Sequence, residues 1–461
     1  MPRRNLTLLI ATLLFSVICA ARNARNPSAR YVAEAYQEID TWALDRPADE
    51  ELVAGALRGM VDVLRRRGDE HSRYLPPVQA NFLRESIAGD FGGVGVRFHF
   101  TGEPPVLTVL TPEPDSPAAR AGVLAGDRIV AVDGAPTLGW DNDKVRETMR
   151  GPVGEPVSVT IERDAAESPL ELRIVRDVIT IPTVVGDRRL ADGRWRHKLQ
   201  QDERVALVRI TTFGDQTFRE LRELLPKLTG DGVEAVVLDL RDNPGGPLDS
   251  AVDVSGLFLP TGTPIVETRG RDKERLEAFA SAGGPWLDLP LAVVVNGNSA
   301  SASEIVAACL QDHGRAVVIG ERSFGKGTVQ RLIPLTPTDG LLKLTAASYW
   351  RPSGVNIHRS PETPDDSPWG VTPNEGMEVV LSDDEKQELL RQRRERDLNA
   401  APSSADEAND DAEEASREPS ENGAPESALP EFFDPYLERA IEHMQGVLDA
   451  SARAGSPASP V

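Results

Sequence analysis

Cysteine is nearly absent from these 461 residues, which contain only Cys19 near the start and Cys309 far downstream. If the leading segment is removed, a single thiol remains and no intrachain disulfide can form. Cys309 lies in the apolar run IVAACL, where a buried structural thiol is expected rather than a nucleophile. Histidine is equally thin, with six scattered residues, so no zinc-type ligand spacing arises and neither metal nor cofactor is expected. Basic residues are outnumbered 51 to 73, giving a formal net charge of −22. A surface of that sign cannot replace the counterions of a phosphate backbone, which excludes nucleic acid as a partner. Long apolar runs are also lacking, except from Leu6 to Ala21 behind Arg3 and Arg4. That opening reads as an export signal over residues 1–21, with cleavage after Ala21 and a periplasmic or otherwise extracytoplasmic mature chain. A retained anchor, tethering the protein to a membrane, is the alternative, although the run is short for a full span. Lipidation of Cys19 fits less well, because Ile18 stands where a small residue is wanted.

Apolar residues amount to 40%, enough for the cores of two or three folded units in a chain this long. Residues 28–88 are helical in pattern, with Leu52, Ala56, Met60, Val63 and Leu64 spaced as a stripe and Asp69–Pro76 read as a loop. Glycines then cluster at Gly92, Gly93 and Gly95, and Val94, Val96, Phe98 and Phe100 alternate as in a strand. Further short strands (VLTVL, DRIVAVDG, VSVTIER, LELRIV) and two short helices (SPAARAG, DNDKVRETM) make residues 89–178 a β-rich module. From 179 to 385, fully apolar strands alternate with helices, the pattern of an α/β layer covered on both faces. Residues 386–429 are polar and, from Ala401 on, rich in Ala, Ser, Pro, Asp and Glu, which predicts an acidic linker without fixed structure. The last stretch, 430–461, carries Leu437, Ile441, Met444 and Leu448 at helical spacing, an apolar stripe that must dock on the core or on another protomer.

The segment Asn298-Ser299-Ala300-Ser301-Ala302-Ser303-Glu304 follows the apolar strand LAVVV and opens a helix. A serine on such a turn suits nucleophilic catalysis, because the amides at the helix N-terminus favour negative charge on a developing oxyanion. The same residues also fit a simple helix cap, Ser301-x-x-Glu304 being a capping box. A nucleophile needs a base. His313 would lie at the far end of the helix, about 16–18 Å from Ser301 along the axis. Lys326, in a Gly325-Lys326-Gly327 turn, follows a helix running away and a strand running back, so it returns to the level of Ser301. Lysine serves as a base when its neutral amine is populated, and Gln330, four residues on, can orient that amine. Pro244-Gly245-Gly246 follows a core strand at the same end of the sheet and can offer a backbone amide to a substrate.

SASASEI, LQDHGRA, GERSFGKGTVQ, DLRDNPGG, GVTPNEG and the early DEHSRYLPP resemble, in order, the blocks of the C-terminal-processing or tail-specific serine peptidases. The resemblance runs from about residue 30 to 380. It implies a multidomain α/β protein: a crotonase-like protease core, a β-rich PDZ domain and flanking helical segments. It also implies that Ser301, rather than Ser299 or Ser303, is the nucleophile, with Lys326 as base, Gln330 as its orienting partner, and the amides of Gly246 and Ala302 as the oxyanion hole. Asp242 departs from the asparagine frequent at that place, which should alter a loop rather than remove catalysis. FGGVGVRF followed by SPAARAGVLAGDRIVAVDG resembles a PDZ domain of the bacterial protease type. There Gly93, Val94, Gly95 and Val96 would form the carboxylate loop and docking strand, with Val145 and Met149 lining an apolar pocket. The implied partners are proteins with flexible, rather apolar C-terminal tails, with an adaptor protein or a second copy of the chain as further possibilities. Two alternatives stay open: a catalytically silent PDZ scaffold on a protease-like core, and an acyl-CoA enzyme on a crotonase core.

Overall fold

The computed structural model describes residues 27–398 and 433–455, apart from 165, 167, 191, 192, 272, 273, 337, 361 and 365. The export signal of residues 1–21 and residues 399–429 of the polar segment lie outside them. Two units separate: one holds the described residues up to Asn81 together with Gln330–Thr345, and the other holds Phe82–Val329 and the residues from Ala346 on.

In the first unit, helices α1 (Pro27–Trp42) and α2 (Asp49–Arg65) precede a short strand, β1 (Arg73–Leu75), where the sequence reading had only a loop. Its ladder partner explains the difference: Tyr74 pairs with Leu342, a contact of long sequence separation that no local pattern reveals. Asp69 steadies the approach by accepting the Ser72 amide at 3.0 Å and the Thr345 hydroxyl at 2.9 Å. The stripe read on α2 is not its buried side: Val61 is buried, whereas Met60, Val63 and Leu64 are 53%, 43% and 39% exposed.

Helix α3 (Pro77–Ala88) leads into the β-rich module. Its elements are β2 (Asp90–Gly93), β3 (Val96–Thr101), β4 (Val106–Pro112), α4 (Pro117–Arg120), β5 (Arg128–Val132), β6 (Ala135–Pro136), α5 (Asn142–Met149), β7 (Pro156–Glu162), β8 (Leu170–Val175) and β9 (Asp177–Thr180). Strands β3-β4-β5-β7-β8 pair in that order around a core of their own, and entry strand β2 pairs antiparallel with exit strand β9. The stalk they form meets the next layer at Gln216, whose amide donates to Ile181 O at 3.3 Å.

The α/β part of the chain begins with β10 (Val184–Val185), β11 (Arg188–Arg189), β12 (Trp195–Arg196) and β13 (Val205–Ile210). It continues through α6 (Thr217–Gly230), β14 (Ala235–Asp239), α7 (Leu248–Gly256), β15 (Pro264–Arg269), β16 (Arg275–Ala280), β17 (Leu291–Val295), α8 (Ala302–Asp312) and β18 (Val317–Gly320). Strands β13, β14, β17 and β18 are parallel neighbours in that order, with β10 antiparallel at one edge. Because strand side chains alternate faces, Ala206, Val208, Val236, Leu238, Val293 and Val295 enter one core with helices α6, α7 and α8. Val205, Leu207, Val237, Ala292 and Val294 enter the other. The chain then runs through β19 (Thr328–Leu335), β20 (Gly340–Trp350), α9 (Asp383–Leu398) and α10 (Pro435–Gly455). Helix α10 covers the second face with Leu437, Ile441, Met444 and Leu448, each burial contributing about 1.5–3 kcal/mol.

Helix α9 corrects the reading of 386–398 as linker. The segment lacks an apolar stripe, so its pattern gave no helical signal. It is held instead by Ser382 and Glu385, which bond reciprocally at its start, by the Arg391 pairs with Glu388 and Glu395, and by Asp397 accepting both 2.8 and 2.9 Å bonds from buried Arg209.

Candidate active site

Three connections leave the C-terminal ends of adjacent parallel strands: residues 240–247 after β14, 296–301 after β17, and 321–327 after β18. They bring Gly245 against Ser301 and Ala302, and the backbone of Lys326 onto the same glutamate, Glu304, as that of Ser301.

Ser301 sits at the N-cap of α8 with φ 58° and ψ −113°. A non-glycine residue in that region carries strain of about 1–3 kcal/mol, and such strain persists only where the surroundings enforce it. The surroundings are visible. Ser299 and Ser303, both fully buried, spend their hydroxyls on main-chain carbonyls of the neighbouring turn, Leu240 O at 2.8 Å and Asn243 O at 3.0 Å. The Ala300 amide donates to Asn243 O at 3.0 Å. Two of the three serines are thus tethers, and Ser301, buried but 7% exposed where the other two are 0%, is the most accessible of the three.

Glu304, one helical turn on, is wholly buried and accepts four hydrogen bonds: Ser301 N at 2.8 Å, Ser323 Oγ at 2.6 Å, Gly325 N at 2.6 Å and Lys326 N at 2.8 Å. Burial pushes its carboxyl up to about 7, against the downward pull of those donors. Four donors converging on two oxygens are what an ionised carboxylate accommodates, since a protonated one would turn a hydrogen toward them. The capping box read from Ser301-x-x-Glu304 is therefore only part of what Glu304 does. It also fixes the lysine turn, whose far side rests on Arg359 N to Gly325 O at 2.9 Å and Tyr349 N to Gly327 O at 2.7 Å. Lys326 itself is half-buried.

The turn after β14 approaches Ser301 closely. Gly245 has φ 97°, and a methyl group there would stand 2.7 Å from both Ala300 O and Ser301 Cβ. Its amide is bound to Asn243 Oδ1 at 2.8 Å, whereas Gly246 is exposed on the same turn. The Ala302 amide belongs to the first turn of α8, which has no carbonyl one turn below it. Asp242, at φ 57°, ties the two turns together: its Oδ1 accepts from Asn296 Nδ2 at 3.0 Å and Asn298 Nδ2 at 2.8 Å.

Gln330 lies on β19, four residues beyond Lys326. His313 caps the far end of α8 and its Nε2 contacts Pro264 O at 2.7 Å; His197 Nδ1 contacts Leu207 O at 3.0 Å. Cys309 is buried and its thiol is pushed up to about 12 by that burial. Among the described residues no cluster of His, Cys, Asp or Glu could hold a metal ion, and no helix is long and apolar enough to cross a membrane. In the β-rich module, Gly93, Val94 and Gly95 are buried and Val96 half-buried, and Val94 shares one core cluster with Val145 and Met149. Sequence reasoning missed the second role of Glu304 and the part of Ser323. The signal for both lay in plain view, a glutamate three residues after Ser301 and a serine three before Lys326, but nothing local says that they meet.

Residues 204–374 match the profile of Peptidase family S41, and residues 108–163 match that of the PDZ domain. The carboxy-terminal-processing protease of Bartonella bacilliformis is 37% identical over 383 residues, covering 82% of this chain and 83% of that one. The carboxyl-terminal-processing protease of Picosynechococcus sp. is 33% identical over 366 residues, covering 77% and 83%. Among solved structures, a photosystem II D1 C-terminal processing protease is 28% identical with a TM-score of 0.41, covering 77% of this chain and 94% of that one.

Proposed function

The chain belongs to peptidase family S41, the carboxy-terminal-processing proteases, and is a serine-type peptidase; from that premise we propose that it cleaves proteins near their C-termini with Ser301 as nucleophile and Lys326 as general base. The observation that carries this reading is the double hold of Glu304 on the backbones of both residues. It is supported by the tethering of Ser299 and Ser303, which leaves one serine of the three for chemistry.

In this reading the neutral Lys326 amine takes the Ser301 proton as Oγ bonds to the scissile carbonyl carbon. The tetrahedral oxyanion is held by the amides of Gly246 and Ala302. The C–N bond then breaks, and Lys326 returns the proton to the leaving amine. Water attacks the acyl-enzyme, again giving its proton to Lys326, which passes it to Ser301 Oγ as the ester bond breaks. The β-rich module supplies the second half of the function: Gly93–Val96 capture or gate the extended C-terminus of the substrate, with Val145 and Met149 on the adjoining helix.

A serine-reactive fluorophosphonate probe and a peptide substrate together test the dyad. Wild type should be labelled and active, Ser301→Ala folded but neither labelled nor active, and Lys326→Arg folded and inactive, because a guanidinium stays protonated. An active Lys326→Arg enzyme would refute the base assignment. A folded wild type that takes no label and cleaves nothing would point to a silent scaffold instead.

A further inference from the structure

At the end of β14, four charged side chains close a ring away from water. Arg241 donates from Nε and Nη2 to Asp239 at 2.9 and 2.7 Å, and from Nη1 and Nη2 to Asp434 at 2.8 and 2.9 Å. Arg393 completes the ring, donating to Asp239 Oδ2 and to Asp434 Oδ2 at 2.7 Å each. The Arg241, Asp239 and Asp434 side chains are 3%, 2% and 1% exposed. Burial alone would raise both carboxyls, yet the two guanidinium groups hold them below the ordinary carboxylate range. Two members come from the catalytic layer and two from the C-terminal helices: Arg393 from α9, and Asp434 from the head of α10, where it also accepts the Leu437 amide at 3.2 Å. Tyr436 of α10 lies under the Arg241 guanidinium, 4.9 Å from it.

Desolvating four charges is costly, and apolar side chains would pack such a joint at less cost. What a ring of this kind supplies is geometry, because a planar guanidinium gripped by two forks has one orientation. Arg241 stands at the start of the turn that carries Gly245 and Gly246. The far end of that turn is fixed by the catalytic layer itself, through Phe213 N to Gly245 O at 3.0 Å and Thr212 Oγ to Gly245 O at 3.0 Å. Its near end starts at Arg241, whose Asp434 fork depends on the C-terminal helices.

We infer that Asp434, together with Arg393, is a positioning residue for the oxyanion turn: the C-terminal helices hold Arg241 and through it the amide of Gly246. The inference rests on the proposed reading of that amide as an oxyanion donor. It makes Arg393 of α9 and Asp434 at the head of α10 supports of that turn, although neither is a member of the dyad.

The test uses the full chain. Asp434→Asn keeps the side-chain shape and an oxygen for the Leu437 amide while removing the charge that grips Arg241. Arg393→Lys keeps the charge and removes the fork that bridges both carboxylates. For each variant, kcat and KM are measured on a peptide substrate. The affinity of a peptide aldehyde, whose adduct with Ser301 carries the oxyanion, is compared with the affinity of the uncleaved peptide in a Ser301→Ala background. Both kcat and aldehyde affinity should fall together, roughly 10–100-fold, as expected for a displaced oxyanion donor, with KM and uncleaved-peptide affinity nearly unchanged. Met444→Ala, in the packing of α10 away from the ring, should lower Tm and keep kcat at temperatures below it. Wild-type kcat in the folded charge variants overturns the inference. So does an aldehyde affinity that holds while kcat falls, or a kcat loss in Met444→Ala equal to theirs. If Asp434→Asn does not fold, Arg393→Lys decides by the same readings. Failure of the underlying dyad looks different, since Ser301→Ala or Lys326→Arg would then still turn over substrate.

Discussion

The backbone amides of Ser301 and Lys326 are bound to one and the same atom, Oε2 of Glu304, each at 2.8 Å. The two nitrogens therefore stand at most twice that distance apart, although 24 residues of helix, strand and turn lie between them in sequence. A single carboxylate sets the backbone from which the proposed nucleophile and base project.

Replacing that carboxylate is the first consequence to check. In Glu304→Gln one oxygen becomes an NH2 group that faces amide donors instead of accepting from them. Turnover should fall roughly 10–100-fold, equivalent to about 1.4–2.7 kcal/mol of lost transition-state positioning. Stopped-flow or steady-state kinetics on folded protein gives the answer, and an unchanged kcat would show that the shared oxygen has no bearing on catalysis.

The pH dependence has a sign that separates stability from activity. The Glu304 carboxyl is raised to about 7 in the folded chain from an ordinary 4.5. Its contribution to stability is therefore full below the lower value and is lost as pH rises through the higher one. Activity should run the other way, since protonated Glu304 cannot serve all four donors and protonated Lys326 cannot act as base. Between pH 6 and 8, kcat/KM should climb while this group's stabilisation declines. Glu304→Gln should abolish the Glu304 limb of the profile and retain any limb that belongs to Lys326.

Ser299→Ala and Ser303→Ala should behave unlike Ser301→Ala. Each removes a buried hydroxyl tether to the glycine turn, whose carbonyls keep a backbone amide as partner, at a cost of about 0.5–1.5 kcal/mol. Both should therefore unfold at lower denaturant concentration yet keep measurable turnover, whereas Ser301→Ala should keep its fold and lose all of it.

Gly245→Ala and Gly314→Ala make a matched pair. Both glycines have positive φ, 97° and 61°, so a side chain at either costs about 1–2 kcal/mol of backbone strain. A methyl at Gly314 meets nothing within 4 Å, whereas at Gly245 it meets Ala300, Ser301 and Ala302. Only Gly245→Ala should lose activity; equal kinetics in the two variants would remove the close approach from the account.

Capture of a free carboxylate by the PDZ module can be read by binding alone. In the Ser301→Ala full chain, C-terminal amidation of a peptide should weaken binding roughly tenfold or more, as loss of a charge-assisted hydrogen bond worth about 1.5–3 kcal/mol implies. Equal binding of the two peptides would leave the module to gating.

Strands such as LAVVV and the AVVL that precedes Asp239, apolar throughout, declared a sheet covered on both faces, and the composition of the loops after them marked the end where chemistry would sit. Ser301 was legible as one of three serines, and only the tethers of Ser299 and Ser303, made to a turn 60 residues away, separate it by geometry. The ring around Arg241 was illegible because its members lie in three segments spread over nearly 200 residues. Helix α9 escaped for a related reason: its order comes from ion pairs and from Arg209 and Asp239, not from an apolar period that a sequence displays.

The parallel run of β13, β14, β17 and β18 has one further implication. All strands of such a layer point the same way, so the chain must turn at both ends, and the two ends are free to serve different purposes. The serine, the lysine and the glycine turn use one rim; the opposite rim, where Gly232, Pro290 and Gly314 lie, touches none of them. Loops on that side can lengthen or accept an inserted tag without altering cleavage, which makes it the natural place to graft a label, a tether or a second domain.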